Sequence, residues 1–257
     1  MSQDIPSAVR SLCLGFPETE EVPSRGSPDF RVAGKTFATF VVNHHGDGRV
    51  ALWLRAPPGA QELYAQGSTP HYFVPPYVGP RGWLGVNLDS GLDWSVIGER
   101  VREAYITAAP ARLGETAGPA PHIASPESAM PADAVDPLLG KRPQEIIAVL
   151  RAFCLALPEA REGEQFGTPV WRAGRKTFCC VHHRAGRLCL QFWVGPEEQA
   201  MLTYDASRYR IPPYIGHRGW IELDVEDDID WDEVQSLALK SYRHFALKRM
   251  LARLDGG

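Results

Sequence analysis

One ten-residue string occurs twice in this chain: residues 74–83 read VPPYVGPRGW and residues 211–220 read IPPYIGHRGW, an offset of 137. Other pairs follow in the same order. LCLGFPE (12–18) matches FCLALPE (153–159), and GSPDFRVAGKTF (26–37) matches GTPVWRAGRKTF (167–178), both at an offset of 141. NHHGDGRVAL (43–52) matches VHHRAGRLCL (181–190) at 138, and Asp93-Trp94 matches Asp230-Trp231 at 137. An ordered series of this kind, with small deletions between its members, marks a duplicated domain. The expected organisation is one domain over residues 1–113, a second over 141–257, and a connector over 114–140. The connector, GETAGPAPHIASPESAMPADAVDPLLG, holds five prolines, six alanines and no lysine or arginine. Such a composition builds no core and prefers extended chain, so it reads as a tether. At roughly 3.1 Å per residue in polyproline geometry it is long enough for the two copies to pack against each other.

Periodicity fills in each copy. Val9, Leu12, Cys13 and Phe16, like Ile146, Val149, Leu150, Phe153 and Cys154, recur at helical spacing, and the helices stop before Pro17 and Pro158. Short β-rich runs follow at 30–31, 35–42 and 49–55, with a Gly-Asp-Gly turn that becomes Arg-Ala-Gly in the second copy. A short helix is expected at 58–66 and 196–204, a strand at 82–88 and 219–225, and a closing helix from Asp93 and from Asp230. The spacing of Asp230 and Glu233 resembles a capping box. Each unit then reads α-β-β-β-α-β-β-α, which predicts an α+β chain of two tandem two-layer α/β domains, each an antiparallel sheet with helices on one face. The acidic run at Glu18, Glu20 and Glu21 is expected on a loop.

These elements together resemble the MmcQ/YjbR family, here in tandem. The shared features are the leading helix ending in FPE or LPE, the GxP-F/W then R, the K-T-F entry, PPY, the RGW strand start and the tyrosine of the closing helix, Tyr105 or Tyr242. The resemblance covers about 1–113 and 141–254. It implies a two-layer fold akin to secretion-chaperone-like and double-wing arrangements, and DNA binding as the expected activity.

Alternation along the strands separates two faces. Leu84, Val86 and Leu88 oppose Trp83; Ile221, Leu223 and Val225 oppose Trp220; Val50, Leu52 and Leu54 oppose Trp53; Leu188, Leu190 and Phe192 oppose Trp193. The aliphatic sides must meet the helices, so four tryptophans are expected on faces that a two-layer domain leaves open. That supplies one function class, a small molecule held between the domains by Trp53, Tyr77, Trp83, Trp193, Tyr214 and Trp220. The other class is nucleic acid, met by Lys35, Arg81, Lys176 and Arg218 with the closing-helix basics Lys240 and Arg243. The Gly-x-x-Gly pieces at 79–82 and 216–219 allow an anion to approach the backbone, although tight turning alone explains them.

Charge limits the second class. The chain carries 27 Lys and Arg against 31 Asp and Glu, a formal net charge of −4, so no overall field draws it to nucleic acid or to a membrane surface. Only the second copy is slightly cationic. The pairs His44-His45 and His182-His183 and the run Cys179-Cys180 lack the spacing of a metal site. No nucleophile, acid–base pair or cofactor fingerprint stands in a familiar context, so no catalytic residue, metal or cofactor is nominated and a non-catalytic binding protein is expected. Five cysteines without disulfide spacing, an N-terminus without a basic start and apolar run, and no long apolar stretch point to a cytoplasmic protein.

Overall fold

In the computed structural model the side chain of Asp4 accepts a hydrogen bond from the Ser7 amide (2.8 Å), opening α1 (Ile5–Leu14) with Pro6 in its first turn, where a missing N–H costs nothing. The structure describes all residues except 1, 2, 25, 26, 68, 185, 205–207 and 257. Gly26 of the repeated GSPDF segment and residue 185 of the Arg-Ala-Gly turn therefore lie outside the described residues.

After α1 come β1 (Thr19–Ser24), β2 (Ser27–Val32), β3 (Lys35–Val42), β4 (Val50–Arg55), α2 (Ala60–Ala65), β5 (Tyr72–Phe73), β6 (Trp83–Asn87), α3 (Trp94–Ala108), α4 (Ala111–Glu115) and α5 (Ala132–Val135). The second half repeats the plan: α6 (Lys141–Ala156), β7 (Ala160–Gln165), β8 (Thr168–Ala173), β9 (Lys176–Arg184), β10 (Arg187–Trp193), α7 (Pro196–Leu202), β11 (Tyr209–Arg210), β12 (Trp220–Asp224), α8 (Trp231–Phe245) and α9 (Lys248–Asp255). Among the described residues each half has one antiparallel six-stranded sheet, ordered β1-β2-β3-β4-β6-β5 and β7-β8-β9-β10-β12-β11. Two units result, Met1–Val135 and Asp136–Gly257.

The aliphatic faces lie where alternation puts them. Val50, Leu52, Leu54, Leu84, Val86 and Leu88 join Leu12, Ile97, Val101 and Tyr105 in one core, and Leu188, Leu190, Phe192, Ile221, Leu223 and Val225 join Leu150, Val234 and Tyr242 in the other. Each core is closed by the same hydrogen bond. The Tyr105 hydroxyl donates to the Pro17 carbonyl (2.9 Å) and that of Tyr242 to the Pro158 carbonyl (2.6 Å).

Two expectations need correction. Glu20 and Glu21 are on an edge strand, β1, not a loop, and β7 (AREGEQ) is its counterpart. An outermost strand needs only backbone pairing on one side, so it carries no apolar alternation to read, and its charges discourage further pairing. Arg10 pins β1 through Glu21 (2.9 Å) and Arg151 pins β7 through Glu162 (2.7 Å). The second correction concerns exposure. Trp53 and Trp83 are each only 8% exposed, packed with Val41, Phe73 and Val78 in a small cluster of their own, and Trp220 is equally buried.

The segment after α4 does not stand clear of the first unit. Ala117 is buried, and Ala120, Ile123, Met130 and Val135 pack against the first core.

Candidate functional site

The repeated string forms one loop, built the same way twice. Its two prolines restrict the chain ahead of the turn. The Val78 amide then bonds the Pro76 carbonyl at 2.7 Å, and the Ile215 amide bonds the Pro213 carbonyl at 2.8 Å. A bond across three residues leaves a tyrosine at the centre of each turn, with φ of +64° at Tyr77 and +66° at Tyr214. This is the rare, strained hand of the three-residue turn, and a bulky side chain there is an outlier. Neither ring is buried to offset the strain, since Tyr77 is 69% and Tyr214 88% exposed.

Every glycine in the string has a reason. A Cβ on Gly79 would lie 2.5 Å from Val74 Cγ1, and one on Gly216 would collide with Ile211. Gly82 and Gly219 close a single 3-10 turn at φ of +80° and +84°. A glutamine on the preceding short helix ties the loop down: Gln61 Nε2 donates to the carbonyls of Gly79 (2.9 Å) and Trp83 (2.5 Å), and Gln199 Nε2 to those of Gly216 (2.7 Å) and Trp220 (2.6 Å). Sequence reasoning missed this pair. Its only signal was that both glutamines fall at the same place in the two copies, 138 residues apart.

Four of the loop's amides are spent on the loop itself. The amides of Val78, Gly79, Arg81 and Gly82 bond the carbonyls of Pro76, Pro75, Val78 and Gly79, and position 80 is proline. A backbone cradle for an anion is thus absent from the first loop, and a phosphate would have to be met by side chains. The Arg81 side chain is exposed and makes no ion pair or hydrogen bond among the described residues. Arg218 is exposed too; its Nε donates to His217 (3.1 Å), and its carbonyl accepts from Trp193 Nε1 (2.8 Å). The Tyr77 hydroxyl lies 3.0 Å from His45 Nε2, and His44 meets Trp53 edge-on at 4.9 Å.

Lys35 and Lys176 are exposed at the first positions of β3 and β9. Leu54 faces both Ala38 and Leu84 across the sheet, so β3 and β6 run the same way and begin at the same end, placing Lys35 and Arg81 about 10 Å apart in the direction across the strands. Phe192 relates Cys179 to Ile221 in the same manner, which brings Lys176 and Arg218 to one end of the second sheet. Lys240 and Arg243 are each paired with a carboxylate, Lys240 with Glu198 and Arg243 with Asp255 (2.6 Å).

Trp193 stacks on His244 with ring centres 3.4 Å apart, and Trp220 lies against Phe245 at 5.7 Å, so the last turn of α8 covers both. The far face of the second sheet has diverged from that of the first. Gln191 replaces Trp53 and Glu222 replaces Gly85 at equivalent register. Gln191 Nε2 donates to Glu222 (2.6 Å) and Gln191 Oε1 accepts from the Cys180 thiol (3.1 Å), all three side chains being buried. Burial holds the neighbouring His182 down to about 4, so it stays neutral.

A protein-family model described as YjbR matches residues 14–107 and matches again over 155–244. No curated protein matches the chain closely enough to count as a relative. Among solved structures, the crystal structure of Deinococcus radiodurans protein DR2400, with domain DUF419, is 19% identical, covering 37% of this chain and 75% of that one with a TM-score of 0.34.

Proposed function

The chain belongs to the YjbR family, whose domain it carries twice, and from that premise we propose that it is a non-catalytic binding protein that holds single-stranded nucleic acid on two copies of one tyrosine–arginine loop. The observation that carries this reading is the exposed, strained tyrosine in both copies. A bulky residue at positive φ costs about 1–3 kcal/mol and persists where the rest of the structure enforces it, commonly at functional sites. Here the enforcement is the proline pair, the close-approach glycine and the glutamine tie. The strain brings a phenol ring into solvent, beside an arginine four residues on in the same turn. An exposed ring suits an unpaired base and an exposed guanidinium suits a phosphate.

Packing of Trp53, Trp83, Trp193 and Trp220 favours this reading over a ligand held among the tryptophans. The net charge of −4 means that attraction must come from local groups, Arg81 and Arg218 first and Lys35 and Lys176 beside them. Each phosphate neutralised on a single strand contributes a salt slope of about −0.7, so two to four such contacts give a slope of the logarithm of the association constant against that of salt between about −1.4 and −2.8. The test is polarisation of a labelled oligothymidylate titrated with the full chain at several low salt concentrations. A slope in that range, roughly halved by Arg81→Ala with Arg218→Ala, is expected. Absence of binding at the lowest salt would overturn the proposal.

A further inference from the structure

Helices α1 and α3 adjoin, since a Cβ on Gly98 of α3 would lie 3.7 Å from Leu12 Cδ1 of α1. The Pro/Ala-rich segment runs along this seam. The Gly118 carbonyl accepts a hydrogen bond from Arg102 Nε (2.6 Å). Ala120 then fills the space over Gly98, where a side chain would come within 3.2 Å of its methyl. The Pro121 ring takes the space over Gly15, where a Cβ would lie 2.5 Å from Cγ and 3.3 Å from Cβ of the ring. His122 follows near the start of α3. The Asp93 carboxyl, held below its usual range chiefly by its bond from Ser95, is lowered further by the charge of that histidine.

The duplication supplies the control. At the offsets of 141 and 137, the second copy has Ala156 in place of Gly15, Gln235 in place of Gly98 and Leu239 in place of Arg102. Each replacement removes one feature of the seat: the room for proline, the room for alanine and the donor to a carbonyl. The surface left behind is correspondingly bare. Leu12 is fully buried in the first unit while its equivalent Phe153 is only partly buried, and Val149 is 43% exposed where its equivalent Ala8 is fully buried.

We propose that residues 117–123 are a dedicated strap for the α1/α3 seam of the first domain, specified by Gly15, Gly98 and Arg102, and that the second domain has lost the seat. The strap works on the connection between the domains. Seated, it binds the chain to the first unit as far as Val135, next to the start of the second at Asp136. Released, it adds a leash of some twenty residues, about 3.1 Å each when extended, and so changes the effective concentration of one domain about the other. This inference stands whether or not the loops bind nucleic acid.

Elastase digestion of the full chain, with cleavage sites mapped by mass spectrometry, tests it, because Ala117 and Ala124 at the two ends of the strap are small residues that enzyme cuts after and neither precedes a proline. Wild type should resist cleavage over 117–124. Gly98→Gln, which copies the second domain's residue into the first, should be cut there about tenfold faster, as expected when a packed contact is overfilled. Ala120→Arg changes the strap and not the domain, so it decides the matter if Gly98→Gln lowers the far-UV dichroism. Gln235→Gly should leave cleavage unchanged. Wild type cut as fast as both variants would overturn the strap, and resistance that rises with protein concentration would overturn seating within one chain.

Discussion

Gly219→Ala is expected to be far more damaging than the same change at the equivalent Gly82, although both glycines close the same turn at nearly the same φ. Positive φ alone costs an L-residue about 1–2 kcal/mol, and that applies to both. At Gly82 a Cβ would meet nothing within 4 Å. At Gly219 it would lie 2.7–2.9 Å from the backbone of Gly195 and Pro196, which cannot rotate away as a side chain does. Overfilling of that kind adds about 1–3 kcal/mol, for a total of roughly 2–5 kcal/mol at Gly219. The difference has a covalent origin. The amides of Val194 and Gly195 both donate to the Gly219 carbonyl, at 2.9 and 3.1 Å, drawing the strands' ends together. The first copy has Pro57 at the place of Gly195, with no N–H to give, so its loop is not pulled in. Urea unfolding of the two variants measures the gap, and equal losses would show that the second loop is not held as described.

Tyr77→Gly combined with Tyr214→Gly should separate stability from binding. Glycine adopts positive φ without penalty, although it gains freedom in the unfolded chain worth roughly 0.5–1 kcal/mol. Removing about 1–2 kcal/mol of strain should therefore leave the melting temperature unchanged or raise it. Binding should move the other way. Stacking of a base on an aromatic side chain is worth about 1–3 kcal/mol, so loss of both rings predicts a fall in oligonucleotide affinity on the order of 100-fold. A loss of stability with affinity intact would make the tyrosines structural and remove the basis for the proposed function. Residues held in strain by their neighbours cluster at functional sites, where the strain serves the function.

The parts of the fold that rest on repetition and on alternation were legible in the chain itself. Leu52 and Leu84 point to the helices because their neighbours in the strand do not, and Asp93 and Asp230 start helices because a carboxylate there can accept orphan amides. Glu233 shows where such reasoning ends. Its spacing suggested a reciprocal cap, yet its carboxylate pairs with Arg208 and Tyr209 instead. Strand β1 stayed hidden because an edge strand is held by backbone bonds that any sequence can make. The PPY string announced a turn, but the hand of that turn depends on φ at Tyr77 and Tyr214, which composition does not encode. Burial of the tryptophans depended on which elements double back over the far face, Phe73 and Val78 in one unit and Phe245 in the other, and no local pattern reports that.

Photo-crosslinking tests the central claim most directly. Irradiating the full chain with an oligothymidylate at low salt, digesting it and sequencing the adducts identifies which residues the bases touch. Adducts on Tyr77 and Tyr214, within the two peptides that carry PPY, are predicted. Adducts confined to other regions, with both loop peptides recovered unmodified, would contradict the assignment of binding to the repeated loop.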